Sequence, residues 1–363
     1  MAGAKVRVII IGGGNWAATA HIPALQRHPD AEVVGLFRRD AVAARKMADD
    51  FSIPFASNDI PTLIRVSKPD AAIVSSIAAQ HYAQSKVALE AGLHVLIEKP
   101  MTITAAEAEE LQAIAARKGL HFLISHPWHY TRHAIESRRL LQDGAIGEIR
   151  MISQLFTNFG LGLYSGWSWG KIFGETPNPQ NLAQPYVIPD LEAFRDPRLS
   201  GGGQKYNQIP HAVALLAFLT GGEPTEVFAR FNDAGMAVDL YDTLNLKWSD
   251  GAVVSIASCM LPGNTDRQHE VRIYGSAGML LLEMWKGRME LHDGQNRVRH
   301  FPDQSEEESY PLYAPAENLV ETILGRSGNG SPASLGVISM RLVEAATESA
   351  RTGANVLIRR PSA

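Results

Sequence analysis

The chain has 363 residues, 45% of them hydrophobic and 20% charged, with a formal net charge of −4. That balance is globular, the length exceeds what one core usually supports, and no basic run of the kind nucleic acid binding needs is present. One cysteine, Cys259, leaves no internal disulfide and no cysteine-rich metal site. No apolar stretch approaches a membrane span, and the run after Lys5 and Arg7 is too short for a secretion signal. The expectation is a soluble cytoplasmic protein of two domains. Its partners would be small molecules and copies of itself, with no nucleic acid and no membrane.

Residues 5–11, KVRVIII, are β-branched and almost uniformly apolar, as a strand buried on both faces is. EVVGLF (32–37) has the same character. The helical stretch between them carries Pro23, which must sit near a helix start or kink it. DAAIVSS (70–76), HVLIEKP (94–100) and HFLIS (121–125) read as further buried strands. HYAQSKVALEAG (81–92) reads as a helix closed by Gly92. Thr104 and Glu107 have capping-box spacing and open a helix that ends near Gly119. Strands alternating with helices imply right-handed βαβ units and a parallel, doubly wound sheet over 1–125.

The pattern then changes. A helix near 131–142 leads into GAIGEIRMISQLFTNFG. From about 225 to 295, strand-like runs are joined by short polar turns such as Ser249-Asp250-Gly251, which signals antiparallel hairpins. Helices return near 316–324 and 336–352. The second domain, 126–363, is therefore expected to be α+β on a large, mostly antiparallel sheet. Residues 162–203 read as irregular, and a loop of that length inside a compact domain is usually functional.

Gly12-x-Gly14-x-x-Ala17 follows a buried strand and opens a helix. The first glycine allows a tight turn, the second admits a pyrophosphate, and the small third residue packs helix on strand. In an NAD site the second strand ends in a carboxylate that binds the ribose 2′-hydroxyl. Here that end reads LFRRD, with Arg38 at the expected place, Arg39 beside it and Asp40 late. Two guanidinium groups suit a 2′-phosphate, so NADP is favoured over NAD. NAD stays open because Asp40 could turn inward.

AGLHVLIEKPM (91–101), a buried strand ending in Glu-Lys-Pro, resembles the glucose–fructose oxidoreductase / inositol dehydrogenase / MocA family. IVSSIAAQHYAQSKVALEAG (73–92) is similar to its Thr-Pro-x-x-x-His segment, with Ser76 and Ile77 in place of threonine and proline. LLQDGAIGEI (140–149) resembles its domain junction, and GGGQKYNQIPHAVALLAFLTGG (201–222) its glycine-rich segment leading to a histidine. EAATESARTGANVLI (344–358) resembles its C-terminal helix and last strand. The resemblance implies a Rossmann domain, then an α/β domain whose open sheet pairs subunits into a homodimer or homotetramer. It also implies an active site between the domains.

The activity implied is hydride transfer between a nicotinamide cofactor and a hydroxyl or ketone of a sugar, sugar derivative or cyclitol. Lys99 would then sit beside nicotinamide and substrate, His211 would give or take a proton, and Glu98 would support the cofactor side. The expected cofactor contacts are Gly12, Gly14, Asn15, Trp16, Arg38, Arg39, Ser75, Ser76, His81, Glu98 and Lys99. The residue types suit the chemistry on their own terms. Alcohol oxidation needs a base, histidine titrates near neutrality, and a lysine near a cation has a lowered pKa.

Asn207 stands where the family often has aspartate, and His129 where related sequences often have arginine. The second change removes a carboxylate-binding group and leans toward a neutral polyol or sugar. His129, Tyr130 and Asn207 are expected at the substrate, together with Tyr164, Trp167 and Trp169, whose faces suit sugar C–H surfaces. His126, His129 and His133 invite a metal reading, but no local acidic or cysteine partner completes a set, so no metal is expected. Two other functions compete. One is an NAD-dependent, redox-neutral glycoside hydrolase working by oxidation, elimination, hydration and reduction. The other is a non-catalytic cofactor sensor, which would be expected to lose Lys99 or His211.

Overall fold

The computed structural model describes residues 5–173, 185–263 and 267–359. The chain forms two compact units. The first comprises Met1–Pro127, Glu175–Asp190 and Leu312–Val337; the second comprises Trp128–Gly174, Leu191–Pro311 and Ile338–Ala363.

In the first unit β1 (Val6–Ile11), β2 (Ala31–Phe37), β3 (Phe55–Ser57), β4 (Ala71–Val74), β5 (His94–Ile97) and β6 (Phe122–Ile124) make one parallel sheet. Its order is β3-β2-β1-β4-β5-β6. The direction of winding reverses between β1 and β4, and ligands bind at the carboxyl ends of the strands at such a switch point. The apolar runs are buried because α1 (Ile22–Arg27), α2 (Ala41–Asp50), α3 (Ile60–Ser67), α4 (Ala78–Glu90) and α5 (Ala105–Lys118) connect the strands. Ile9, Ile10, Ile11, Ile73, Val74, Leu96 and Ile97 are fully buried. Thr104 and Glu107 form the expected capping box on α5, and Gly119 ends it at φ +64°. β3 was not read from the sequence, because three residues are too few to show a period.

The second unit starts with α6 (Arg132–Gln142) and β7 (Ile149–Asn158). The stretch expected to be irregular is partly helical. It holds α7 (Leu161–Ser165), α8 (Trp169–Phe173), α9 (Glu192–Arg195) and α10 (Pro197–Ser200), followed by α11 (Gln204–Asn207). Each is a single turn or little more, and Gly166 and Gly201 stop two of them in the left-handed region. Such short pieces leave no hydrophobic period to read. Residues 174–184 of that stretch lie outside the described residues. α12 (Ile209–Thr220) is apolar all round, and Ile209 to Leu219 are all buried, as a helix inside a core is.

β8 (Pro224–Asn232), β9 (Tyr241–Trp248), β10 (Val253–Met260), β11 (His269–Gly275), β12 (Gly278–Glu283), β13 (Arg288–Asp293) and β14 (Val298–His300) follow. After them come α13 (Glu306–Ser309), α14 (Ala314–Ile323), α15 (Ser334–Thr352) and β15 (Val356–Leu357). The nine-stranded sheet runs β14-β13-β12-β11-β7-β10-β9-β8-β15. β7 and β10 pair in parallel and the remaining pairs are antiparallel. β9 alternates strictly. Asp242, Leu244, Leu246 and Trp248 face the core, while Tyr241, Thr243, Asn245 and Lys247 face outward. One face is therefore core and the other is open. Ser249-Asp250-Gly251 makes the expected turn between β9 and β10, with Gly251 at φ +92°.

Thr104→Ala removes the hydroxyl that accepts from the Glu107 N–H. It is expected to lower unfolding stability by about 1 kcal/mol, read from the urea midpoint, while Thr104→Ser stays close to wild type.

Candidate active site

The glycine turn fits a dinucleotide. Gly12 has φ +103°, and a Cβ there would lie 2.5 Å from the Ser76 nitrogen and 2.7 Å from the Ser75 carbonyl carbon. Only glycine allows β1 and the β4 turn to approach this closely. The Ser75 hydroxyl donates to the Gly12 carbonyl at 2.7 Å and fixes that approach. Above Gly14 the space is open, with the nearest atom, the Ser75 oxygen, 4.0 Å from a would-be Cβ. A helix opens at Asn15, and its first N–H groups have no partner within the helix. An open cradle at a helix N-terminus suits a pyrophosphate. Gly13 was not singled out from the sequence. Its would-be Cβ falls 2.6 Å from Met47 Sδ and 2.8 Å from Arg38 Cδ.

Arg38 therefore lies across the glycine turn. It is half-buried, whereas Arg39 is exposed. Asp40 does not turn inward: its carboxylate accepts the Ala43 N–H at 2.7 Å and caps α2. Asn15 uses its side-chain oxygen to accept the Tyr186 N–H at 2.9 Å. The Tyr186 hydroxyl donates to Asp50 at 2.5 Å, and its ring meets Phe51 edge-on at 5.3 Å. Tyr186 lies 171 residues from Asn15. No local pattern announces that contact. Trp16 is half-buried at the start of the helix.

At the end of β5, Glu98 accepts from His21 Nε2 at 2.9 Å and from the Lys99 N–H at 3.2 Å. His21 is fully buried and arrives on a π-helical turn, Ala17–His21. Burial alone would raise the Glu98 pKa. The His21 bond and charge, the Ser125 hydroxyl and the Lys99 charge outweigh it and hold the carboxyl below its ordinary value. Burial lowers the Lys99 pKa, and Glu98 offsets this in part. His81 is clamped between two carbonyls, with Nδ1 2.8 Å from Pro100 O and Nε2 3.1 Å from Ser76 O. Burial lowers its pKa. The ring ties the turn after β4 to the Pro100 carbonyl, one residue beyond Lys99. The Ser76 hydroxyl donates to Gln84 at 2.7 Å. Ser75, Ser76 and His81 thus have their side chains committed to shaping the wall. His126 is buried, and its pKa is pushed down to about 3, so it stays neutral at working pH.

The second unit holds His211 and Asn207. Asp239 grips the turn before them. It accepts the Gly203 N–H at 3.1 Å and the Lys205 N–H at 2.7 Å, pairs with Lys205 Nζ at 3.2 Å, and takes the Gln204 N–H on its own carbonyl at 2.9 Å. A Cβ at Gly203 would sit 1.8 Å from that carbonyl oxygen. Burial and the Asp239 charge push Asp242 up to about 9. The Asp242 carboxyl is therefore protonated at neutral pH. Neither aspartate was singled out from the sequence.

Asn207 ends α11 and donates to the Tyr164 hydroxyl at 3.3 Å. α12 starts two residues later, with Pro210 in its first turn as expected. His211 is buried, its ring 5.2 Å from Trp128 in an edge contact. His129 is buried, and its ring lies flat on Phe218 at 4.7 Å. Burial raises the phenols of Tyr130 and Tyr164. Of the loop aromatics, Tyr164 and Trp169 are buried, and Trp167 is half-exposed beneath Lys171 at 4.0 Å.

Residues 6–126 match the oxidoreductase family with an NAD-binding Rossmann fold, and residues 135–281 match the GFO/IDH/MocA C-terminal domain. An uncharacterized oxidoreductase of Synechocystis sp. is 26% identical over 292 residues, 77% of this chain and 71% of that protein. A dTDP-3,4-didehydro-2,6-dideoxy-alpha-D-glucose 3-reductase of Streptomyces antibioticus is 34% identical over 157 residues. That match spans 42% of this chain and 46% of the relative. An oxidoreductase domain protein from Kribbella flavida superposes with a TM-score of 0.82 at 20% identity, covering 99% of this chain and 100% of that one, a likeness of fold. With both family domains matched in order along its length, the chain belongs to the GFO/IDH/MocA family of NAD(P)-binding oxidoreductases.

Proposed function

We propose that the protein uses NADP(H) to interconvert a hydroxyl and a ketone on a sugar, sugar derivative or cyclitol. The observation that carries the cofactor choice is the placement of Arg38 and Asp40. The one carboxylate near the end of β2 is committed to capping α2, while Arg38 lies across the glycine turn. A 2′-phosphate has a cation to meet there, and a bare 2′-hydroxyl has no carboxylate. Arg39, exposed beside it, is the second cation on this reading. Gly12 and Gly14 shape the pyrophosphate cradle, and Asn15 and Trp16 open the helix above it.

The nicotinamide, when bound, supplies or accepts the hydride. The chain's own residues handle the proton. Lys99, desolvated beside a carboxylate that stays ionised, hydrogen-bonds the substrate oxygen and stabilises the negative charge that develops on it during reduction. His211 gives or takes the accompanying proton, and Asn207 orients a substrate hydroxyl. Tyr130, Tyr164, Trp167 and Trp169 are assigned to the substrate wall, with His129 as packing behind it. Pairing through the open face of the nine-stranded sheet into a dimer or tetramer, and a cytoplasmic setting, complete the reading. The dTDP-sugar reductase among the relatives supports a sugar substrate. No observation favours the redox-neutral glycosidase, and the presence of both Lys99 and His211 disfavours a sensor.

Titration of cofactor-free protein tests the cofactor choice. NADPH is expected to bind at least about tenfold more tightly than NADH, with the preference lost in Arg38→Ala, since a charge-assisted bond contributes about 1.5–3 kcal/mol. Equal affinity, or NAD that copurifies at full occupancy, would overturn it. Lys99→Met is expected to lower kcat by roughly a hundredfold or more while leaving NADPH affinity within a few-fold. The wild-type reduction rate should fall as pH rises through the Lys99 pKa, because the donating ammonium is lost. That limb should lie below the ordinary lysine value of about 10.4. An unchanged limb in Lys99→Arg would assign it to another group.

A further inference from the structure

Arg267 stands just before β11 in the second unit, half-buried. Its guanidinium lies over the Trp285 ring at 3.7 Å, with Phe159 5.7 Å away. Stacking satisfies the face of a guanidinium but none of its five N–H donors. Among the described residues, no ion pair or hydrogen bond engages those donors. The other cations of this corner are paired: Arg272 with Glu270 at 2.7 Å and Lys286 with Glu283 at 2.6 Å. Glu306 and Tyr310 act on Arg267 only through their field, and burial lowers its pKa against them. A desolvated cation without a partner is costly, and such groups are ordinarily paired or hydrogen-bonded.

A second observation is independent of the first. The indole Nε1 of Trp285 and that of Trp128 are both buried without a hydrogen-bond partner, and so is Nδ1 of His269. An indole N–H can only donate. The rings belong to one cluster: Trp128 lies 4.9 Å from Trp285 and 4.4 Å from His269. Trp128 also touches His211 at 5.2 Å, so the cluster reaches the proposed proton carrier. Unsatisfied buried polar groups are rare in folded proteins. Two of those here, the indole N–H groups of Trp128 and Trp285, are donors in the ring cluster on which Arg267 stacks.

We infer that Arg267, stacked on Trp285, is an anion-recognition residue that selects substrates carrying a carboxylate or phosphate group. This rests on the sugar-oxidoreductase reading above and sharpens it. It also reverses the lean toward a neutral substrate drawn from His129, because the anion-binding cation comes from the approach to β11 instead of the segment after β6. A guanidinium suits both anions, since its planar fork matches their paired oxygens.

The test needs neither cofactor nor turnover. The six tryptophans are labelled as 5-fluorotryptophan, and the Trp285 and Trp128 fluorine signals are assigned with Trp285→Phe and Trp128→Phe. Inorganic phosphate, acetate and neutral glycerol are titrated in turn. The expected result is a saturable shift of the Trp285 signal with phosphate, acetate or both, and none with glycerol. Arg267→Met should weaken the response about tenfold or more, and Arg267→Lys should retain part of it. Phosphate alone points to a phosphorylated substrate, and a response to acetate points to a sugar acid. No saturable shift with either anion, or an equal shift in Arg267→Met, overturns the inference. Unchanged NADPH binding in Arg267→Met shows that the variant is folded. Because the anion response is read without cofactor, its failure alongside intact NADPH selectivity removes Arg267 and leaves the oxidoreductase reading standing.

Discussion

The polar architecture at the end of β5 depends on one largely buried carboxylate. Glu98 sits at the end of β5, where burial favours its neutral form, yet it is held ionised by His21, the Lys99 N–H and Ser125. Each of these comes from a different part of the fold. His21 stands on the helix that follows the glycine turn, Lys99 continues β5, and Ser125 follows β6. The helix that follows the glycine turn and the strand that leads to Lys99 are thereby joined by a single polar contact. Removing His21 would take away the largest of the contributions that offset the cost of this buried charge. The Ser75–Gly12 bond and the His81 clamp draw the β4 turn into the same arrangement.

The second unit solves a similar problem with different groups. Asp239 takes bonds from Gly203, Gln204 and Lys205, and so sets the turn that leads to Asn207 and His211. Its neighbour Asp242 stays protonated, which spares the core a second charge. In the glycine run at 201–203, Gly203 is there because a carbonyl occupies the place of its Cβ. Around Trp128 the rings of His211, Trp285 and His269 pack by edges.

Much of this was legible in the sequence where a single physical demand acts locally. β1, β2, β4 and β5 announce themselves because strands buried on both faces must be apolar throughout. The α5 capping box and the Ser249-Asp250-Gly251 turn are short-range hydrogen-bond motifs, and both stand where the spacing puts them. Asp40 shows the limit of such reading. An aspartate after a second strand suits either a ribose contact or a helix cap, and only the folded chain commits it to Ala43. Tyr186 and Asp239 were invisible because their partners lie far along the chain. The parallel pairing of β7 with β10 is likewise a tertiary fact. The aromatic run 163–170 was readable as composition, but only the fold separates buried Tyr164 and Trp169 from half-exposed Trp167.

The most direct measurement follows the hydride itself. The protein is given NADPH deuterated at the transferable position, with a panel of keto-sugars, and the sugar products are analysed by mass. One deuterium on the new carbinol carbon, with cofactor oxidised in equal amount, is the result predicted for a reductase that exchanges its cofactor. Glycosidic cleavage with no net cofactor oxidation would contradict it and place the chain's chemistry in the redox-neutral class.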